Sequence, residues 1–125
     1  MEGRQQVRVV VQINLEEGAG DREALAASIV AGGDKAAREP GCLQYTSYRS
    51  VSPPDTVVVL ELWDSLENYD RHWRSMVAED PRAGLPQEGE PRKVIEFYQH
   101  SVFELVDGSW QSTSVARRAK TIRWP

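Results

Sequence analysis

The sequence predicts an α+β fold with the ferredoxin-like order β-α-β-β-α-β and an antiparallel sheet. Four segments alternate apolar and polar residues with the period of a strand, and two segments between them have the period of a helix. A chain of 125 residues, 40% of them apolar, can build one modest core. We therefore expect a single globular domain whose two helices cover one face of the sheet.

The first strand and helix are predicted from residues 7–39. The segment "VRVVVQINL" (7–15) places its valines, Ile13 and Leu15 on one side of an extended chain. After the turn "EEGAG", Asp21 can cap a helix, although a Gly-Gly pair in its interior costs roughly 1 kcal/mol per glycine. The helix must end at Pro40-Gly41, because proline disfavours helical geometry in the residue before it.

The second and third strands form a predicted hairpin around "SPPD". The second strand, "CLQYTSYRSV" (42–51), turns Leu43 and Tyr45 to one side. The third strand, "TVVVLELW" (56–63), is rich in β-branched residues and is the clearest strand signal in the chain.

The second helix follows directly, because Asp64 with Glu67 three residues later resembles a capping box. Its apolar stripe consists of Leu66, Tyr69, Trp73 and Met76. Residues 79–92 hold three prolines and two glycines and predict a long loop that could act as a lid. Residues 93–106 predict one long last strand.

Two regions of different charge are expected, a domain over residues 1–106 and a basic tail over residues 107–125. The whole chain carries a formal charge of -4, but the tail has four basic residues against one acidic residue, so the rest carries -7. Such an acidic body repels nucleic acid. The tail is expected to be solvated or to wrap a partner subunit.

Neither a membrane-spanning run nor a signal peptide is recognised, so a cytoplasmic location without a membrane partner is expected. Cys42 is the single cysteine, and the sequence offers no zinc-site spacing. Both faces of the third strand are apolar, and the helices can cover only one of them. An identical subunit is the simplest cover for the other face, which predicts a homodimer.

Two segments carry a resemblance to a known family. "EPGCLQY" (39–45) and "VVVLELWDSLENYDRHW" (57–73) resemble the signature of the antibiotic biosynthesis monooxygenase domain family: a Pro-Gly pair after the first helix, a Tyr on the second strand and Glu-x-Trp closing the third. A His nine residues after the Trp corresponds to His72. The resemblance implies a dimeric α+β barrel and the oxygenation of phenolic or quinol-like compounds without metal, flavin or other cofactor.

The chain departs from two branches of that family. Anthrone-oxidising members have an Asn four residues before the Trp and a Tyr six residues after it, and here Val59 takes the Asn position while Tyr69 fits. The haem-degrading branch needs an Asn on the first strand and a Trp on the second helix. Val11 and His72 occupy those positions, which disfavours haem degradation.

The candidate site lies at the junction of the third strand and the second helix. A cofactor-free oxygenase needs an apolar chamber, hydrogen bonds that hold a substrate anion, and a base. His72, with an unperturbed pKa of about 6.5, is the best-matched base. The expected catalytic residues are His72, Trp63 and Tyr69, and the expected substrate-binding residues are Tyr45, Glu61, Val59, Tyr98 and Arg82.

Each of these residues also has a structural interpretation. Trp63, Tyr69 and Tyr45 could be core residues, and His72 could be a structural hydrogen-bonding group between core and solvent. Glu61, if buried, should pair with Arg49 or Arg74 unless it is itself the base. The sequence thus predicts a homodimeric, cofactor-independent monooxygenase that takes an aromatic substrate and dioxygen. The alternatives are a non-catalytic binder of a small ligand or haem, and a purely structural dimer.

Overall fold

The computed structural model describes residues 6–82, 89, 91, 93–100, 103–112 and 117–118. In chain order the elements are β1 (Gln6–Asn14), a 3-10 turn (Leu15–Glu17), α1 (Arg22–Ala36), β2 (Cys42–Arg49), β3 (Thr56–Trp63), α2 (Leu66–Glu79), β4 (Lys93–His100), β5 (Phe103–Val106), β6 (Ser109–Ser112) and β7 (Arg117–Arg118). All six predicted strands and helices are present, as β1, α1, β2, β3, α2 and β4. Among the described residues no helix is long and apolar enough to cross a membrane.

The main sheet is antiparallel and has the strand order β2-β3-β1-β4-β7. Its first four strands have the ferredoxin-like arrangement, which confirms the predicted α+β fold. Alternate residues of β3, beginning at Val57 and ending at Trp63, are buried on the face that the helices cover. Val7, Val9 and Ile13 of β1 are buried on the same face, so the core lies between this face and the two helices.

The predicted start of α1 is confirmed, because Oδ1 of Asp21 accepts hydrogen bonds from the amides of Glu23 and Ala24. The capping residue predicted for α2 is wrong by one position. Ser65 is the N-cap and accepts from the Asn68 amide, while Asp64 binds the Ser65 hydroxyl and the Asn68 side chain. Asp64 thereby holds the cap in place rather than forming it.

β2 contains a bulge that the sequence analysis missed. Cys42 lies opposite Trp63 and Gln44 lies opposite Leu62, so Leu43 is an extra residue in the ladder and is exposed. The extra residue puts Cys42 and Tyr45 on the same, helix-covered face. The prediction that Leu43 shares the face of Tyr45 is therefore wrong.

The predicted long last strand is interrupted. β4 ends at His100, and β5 and β6 form a separate hairpin around Asp107 and Gly108, both at positive φ. The predicted boundary between domain and tail falls at this turn, and β7 of the predicted tail pairs with β4. The proposed wrapping of a partner by the tail stays a prediction.

Candidate active site

A cavity of about 550 Å³ lies between the two helices and the helix-covered face of the sheet. Its walls are mostly apolar, and its size is that of a small-molecule site. Every one of the elements β1, α1, β2, β3, α2 and β4 contributes to the lining. The apolar lining includes Val11, Ile13, Leu25, Ile29, Val59, Met76 and Ile95.

Glu61 is the polar group at the centre of the sheet wall. Its side chain is on the buried side of β3, only 4% exposed, and lines the cavity. Oε1 accepts a hydrogen bond of 3.0 Å from Nε1 of Trp63, and the Tyr45 hydroxyl is a second hydrogen-bonding partner. Burial raises the pKa of this carboxyl to about 7, although the two hydrogen bonds act in the opposite direction.

The expected ion pair of Glu61 with an arginine is wrong. Arg49 lies at the far end of β2 and binds the carboxylates of Glu23 and Asp55. Among the described residues, neither Arg49 nor Arg74 forms an ion pair with Glu61. A carboxyl in this position can therefore exchange a proton near neutral pH, because no cation among the described residues forms an ion pair with it.

Tyr45 lines the cavity beside Glu61, its direct cross-strand neighbour. Burial, followed by the nearby Glu61 carboxylate, raises the pKa of its hydroxyl far above the ordinary value. The hydroxyl therefore stays protonated and can donate a hydrogen bond. Its ring packs against α1 at Gly33, where an added Cβ would lie 3.1 Å from Tyr45 Cδ1.

His72 lines the cavity from α2 and is paired with Glu39, a residue of the loop after α1. Nδ1 of His72 lies 2.6 Å from Oε2 of Glu39. The imidazole is only 3% exposed, so its predicted position between core and solvent is wrong. If Nδ1 carries the proton that binds Glu39, the lone pair of the neutral ring is on Nε2.

Trp63 does not line the cavity. It is fully buried and packs in a core cluster with Val7, Val9 and Tyr69. Its indole stacks on His72 at a centroid distance of 4.8 Å and binds Glu61, so it supports two cavity residues from behind. The structure thus places Trp63 in the core, the second of the two interpretations open from the sequence.

Tyr69 also lies in the core rather than in the cavity wall. Its ring packs against Phe97 and Trp63, and its hydroxyl accepts a hydrogen bond from Nε1 of Trp73. Burial raises the pKa of the Tyr69 hydroxyl above its ordinary range. Trp73 takes the place that we expected for Tyr69, because it lines the cavity from α2.

Two further predicted site residues lie away from the cavity. Tyr98 is opposite Arg8 on the other face of the sheet, because its neighbours Ile95 and Phe97 use the core face. Arg82 is exposed just after α2, where its amide binds Asp80, and it is outside the cavity lining. Most of the predicted lid, including residues 83–88 and Arg92, lies outside the described residues.

The rim of the cavity carries a charged pair. Nζ of Lys35, in the last turn of α1, lies 3.0 and 2.9 Å from the two carboxylate oxygens of Glu79 at the end of α2. Both side chains are mostly exposed and both line the cavity. In the part of the chain that the structure describes, no group of three or more His, Cys, Asp or Glu side chains is placed to hold a metal ion.

Glu39 is a cavity-lining residue, paired with His72, that the sequence analysis missed. In the sequence it stands before the helix-ending proline and opens the segment "EPGCLQY" that carries the family resemblance. Its partner His72 is 33 residues away in the chain, and no periodic pattern connects the two. The presence of an acidic residue in that segment was the available signal.

Comparisons with known proteins agree with this fold. The chain is similar to protein SO0527 from Shewanella oneidensis (TM-score 0.62, 22% identity, covering 78% of this chain and 92% of that one). It is also similar to PA3566 from Pseudomonas aeruginosa (TM-score 0.62, 19% identity, 78% and 95% covered). A mutant of SnoaB, a cofactor-independent oxygenase from Streptomyces nogalater, matches with a TM-score of 0.56 and 15% identity (74% and 90% covered).

At these identities the likeness to solved structures establishes the fold alone. No curated protein sequence matches the chain significantly. A family model described as antibiotic biosynthesis monooxygenase matches residues 7–80, which is more than half of the chain and includes both quoted segments. The protein therefore belongs to the antibiotic biosynthesis monooxygenase family.

Proposed function

We propose that this protein is a cofactor-independent monooxygenase that oxidises a phenolic, anthrone-like or quinol-like aromatic molecule with dioxygen. The observation that carries the proposal is the Glu61 carboxyl, which lies in the wall of a ligand-sized apolar cavity and has a pKa raised to about 7. Family membership supports the reaction class, as does the structural similarity to SnoaB, a cofactor-independent oxygenase.

The chemistry begins with removal of a proton. Dioxygen is a triplet and reacts slowly with closed-shell molecules, so the substrate itself must become an electron donor. A Glu61 carboxylate takes a proton from an acidic C–H or O–H group, and the electron pair stays on the substrate as an anion. A base whose pKa is near the working pH is the most effective for this step.

The anion then passes one electron to dioxygen, and the resulting radical and superoxide combine into a peroxide. For an anthrone, loss of water from the protonated peroxide converts a CH₂ group into a carbonyl. One oxygen atom enters the product, and the other leaves as water with the two hydrogens. The Tyr45 hydroxyl supplies a hydrogen bond for the anion, and His72, held by Glu39, provides a second group for proton transfer.

Oxygen uptake tests the proposal directly. Purified protein is mixed with a panel of anthrones, naphthols and quinols in metal-free buffer containing a chelator, and oxygen consumption and product are followed together. We expect at least one compound to give quinone and water with one dioxygen consumed per product. Isotopic labelling with ¹⁸O₂ should put one labelled atom into the product. Absence of turnover across the panel contradicts the proposal.

A non-catalytic ligand-binding protein is the second candidate. Val59 gives the cavity an apolar wall where anthrone-oxidising relatives are expected to have an amide side chain, and both Trp63 and Tyr69 are core residues. A change in the absorbance of haem or an increase in melting temperature with an aromatic ligand, without product, would favour this candidate.

We also propose a homodimer formed through the face of the sheet that the helices leave uncovered. In the single chain Tyr48 and Val94 on this face are about half exposed, and Val10, Leu60 and Leu62 are only half-buried. A second copy would cover these apolar side chains. Sedimentation at micromolar concentration should give a dimer, and a monomer alone contradicts this part of the proposal. A cytoplasmic location is also part of the proposal.

A further inference from the structure

We infer that the cavity takes its substrate as an uncharged molecule and rejects anionic aromatic molecules of the same size. This inference deepens the function proposed above and rests on it. It concerns the ionisation state in which the ligand enters, and it follows from the charges of the cavity lining.

The described lining has three carboxyl groups, one ammonium group and one imidazole: Glu39, Glu61, Glu79, Lys35 and His72. The Lys35 ammonium is already paired with a carboxylate, because its Nζ donates hydrogen bonds to both oxygens of Glu79. Glu39 is occupied by Nδ1 of His72. Glu61 has only neutral hydrogen-bonding partners, Trp63 and Tyr45. The interior of the described lining therefore offers no free cation to a second negative charge.

A ligand that enters as an anion meets the Glu61 carboxylate in an apolar setting. Two like charges repel each other strongly where water is largely excluded, and each also loses its hydration. A neutral phenol or carbon acid avoids both costs. When its proton moves to Glu61, one O–H or C–H bond breaks and one carboxyl O–H bond forms, and the net charge of the site does not change.

Within the described lining, Lys35 is the basic side chain that could attract an anionic ligand. It lies at the rim, its side chain is 72% exposed, and its partner Glu79 would be left without a cation if Lys35 moved to the ligand. If the Lys35 ammonium exchanged the Glu79 carboxylate for that of a ligand, the gain in binding free energy would be small, because one exposed ion pair would replace another. The rim pair therefore does not offset the repulsion at Glu61.

A matched pair of ligands tests the inference. A hydroxynaphthoic acid and its carboxamide have the same rings and nearly the same size but differ by one negative charge. Binding of each to the full-length protein is measured by titration calorimetry at about pH 8, where Glu61 is ionised. We expect the amide to bind at least about tenfold more tightly than the acid.

Removal of the Glu61 charge should reduce this preference. In Glu61→Gln the difference should narrow to less than about threefold, whereas Glu67→Gln, an exposed carboxylate on α2 outside the cavity, should leave it unchanged. Should Glu61→Gln not fold, wild-type protein at about pH 5.5, where Glu61 is protonated, provides the same comparison.

The outcomes separate this inference from the proposed function. Equal or tighter binding of the acid overturns the inference alone, as does a preference that persists when the Glu61 charge is removed. Failure of both ligands to bind overturns the inference and the use of the cavity as a ligand site. A preference for the amide without oxygen uptake by any substrate supports the inference and contradicts the monooxygenase.

Discussion

Trp63 and Glu61, two residues apart on β3, are joined by a hydrogen bond of 3.0 Å from the indole Nε1 to the carboxyl Oε1. The indole is fully buried, whereas the carboxyl reaches the cavity. The hydrogen bond thus connects the buried core to a cavity-lining carboxyl group that can hold or release a proton.

Glu61→Gln should abolish most of the turnover. Glutamine has nearly the same shape and can still accept from Trp63, but it cannot take a proton. The loss of a general base lowers kcat by about 100-fold or more. In the wild type, kcat/KM should rise with pH and level off above about 7, because Glu61 must be ionised. Steady-state kinetics of both proteins across this pH range provide the measurement, with Glu67→Gln as control. A wild-type profile that is flat through pH 7 contradicts the role of Glu61.

The same substitution should change the pH dependence of stability. The folded pKa of Glu61, about 7, is above the value of 4.5 for a free carboxyl, so the folded state binds more protons than the unfolded state between these limits. Its stabilising contribution is complete below about pH 4.5 and is lost as pH rises through 7, a change of about 3 kcal/mol. Urea unfolding at several pH values should show this decline in wild type and a smaller one in Glu61→Gln. Parallel curves would contradict the raised pKa.

Trp63→Phe should shift the pH profile without removing the cavity wall. The indole donor lowers the pKa of Glu61, so its loss should move the acidic limb of kcat/KM to higher pH. The unfolding free energy should fall by about 1–3 kcal/mol, because a buried hydrogen bond is lost. Phe97→Leu in the same core cluster is the control, since it lowers stability without touching Glu61. A strong loss of ligand affinity in Trp63→Phe would instead indicate direct contact with the ligand.

Glu39 and His72 should be energetically coupled. A double-mutant cycle with Glu39→Gln and His72→Asn, measured by urea unfolding, should give a coupling of about 1–3 kcal/mol, because the pair is close and His72 is buried. The exposed pair Glu67 and Arg71 on α2 is the control and should give less than about 0.5 kcal/mol. Equal coupling in the two pairs would show that Glu39 does not position the imidazole.

The two adjacent glycines of α1 should respond differently to alanine. An added Cβ at Gly32 meets no atom within 4 Å, so Gly32→Ala should stabilise the protein by about 0.5–1 kcal/mol through helix propensity. At Gly33 the added Cβ lies 3.1 Å from the Tyr45 ring, so Gly33→Ala should gain less or destabilise. Thermal unfolding compares the two. Ligand affinity should change in Gly33→Ala, because Tyr45 must move, and equal effects of the two substitutions would contradict this packing.

The sequence predicted the parts of the site that depend on strand alternation. Val59 and Glu61 face the helices because burial alternates along β3 with a strict period of two, and both residues share the parity of Val57 and Trp63. The sequence does not distinguish residues of the core from residues of the cavity wall. Trp63 and Tyr69 would satisfy the same apolar pattern in either position. The bulge at Leu43 cannot be recognised from the alternation of apolar and polar residues along β2. The pairing of Glu39 with His72 joins two distant segments, and only the folded chain brings them together.

The rim pair of Lys35 and Glu79 lines the cavity and is also exposed to bulk water, so it bears on how a small molecule would enter. An exposed ion pair of this kind contributes at most about 1 kcal/mol, so thermal motion leaves it broken in at least roughly one molecule in six at any instant. Because this ion pair is so weak, small molecules can enter and leave the cavity without any larger rearrangement of the helices. Added salt weakens the ion pair further. It should therefore raise the association and dissociation rates of a neutral ligand and leave the affinity of the cavity for that ligand almost unchanged.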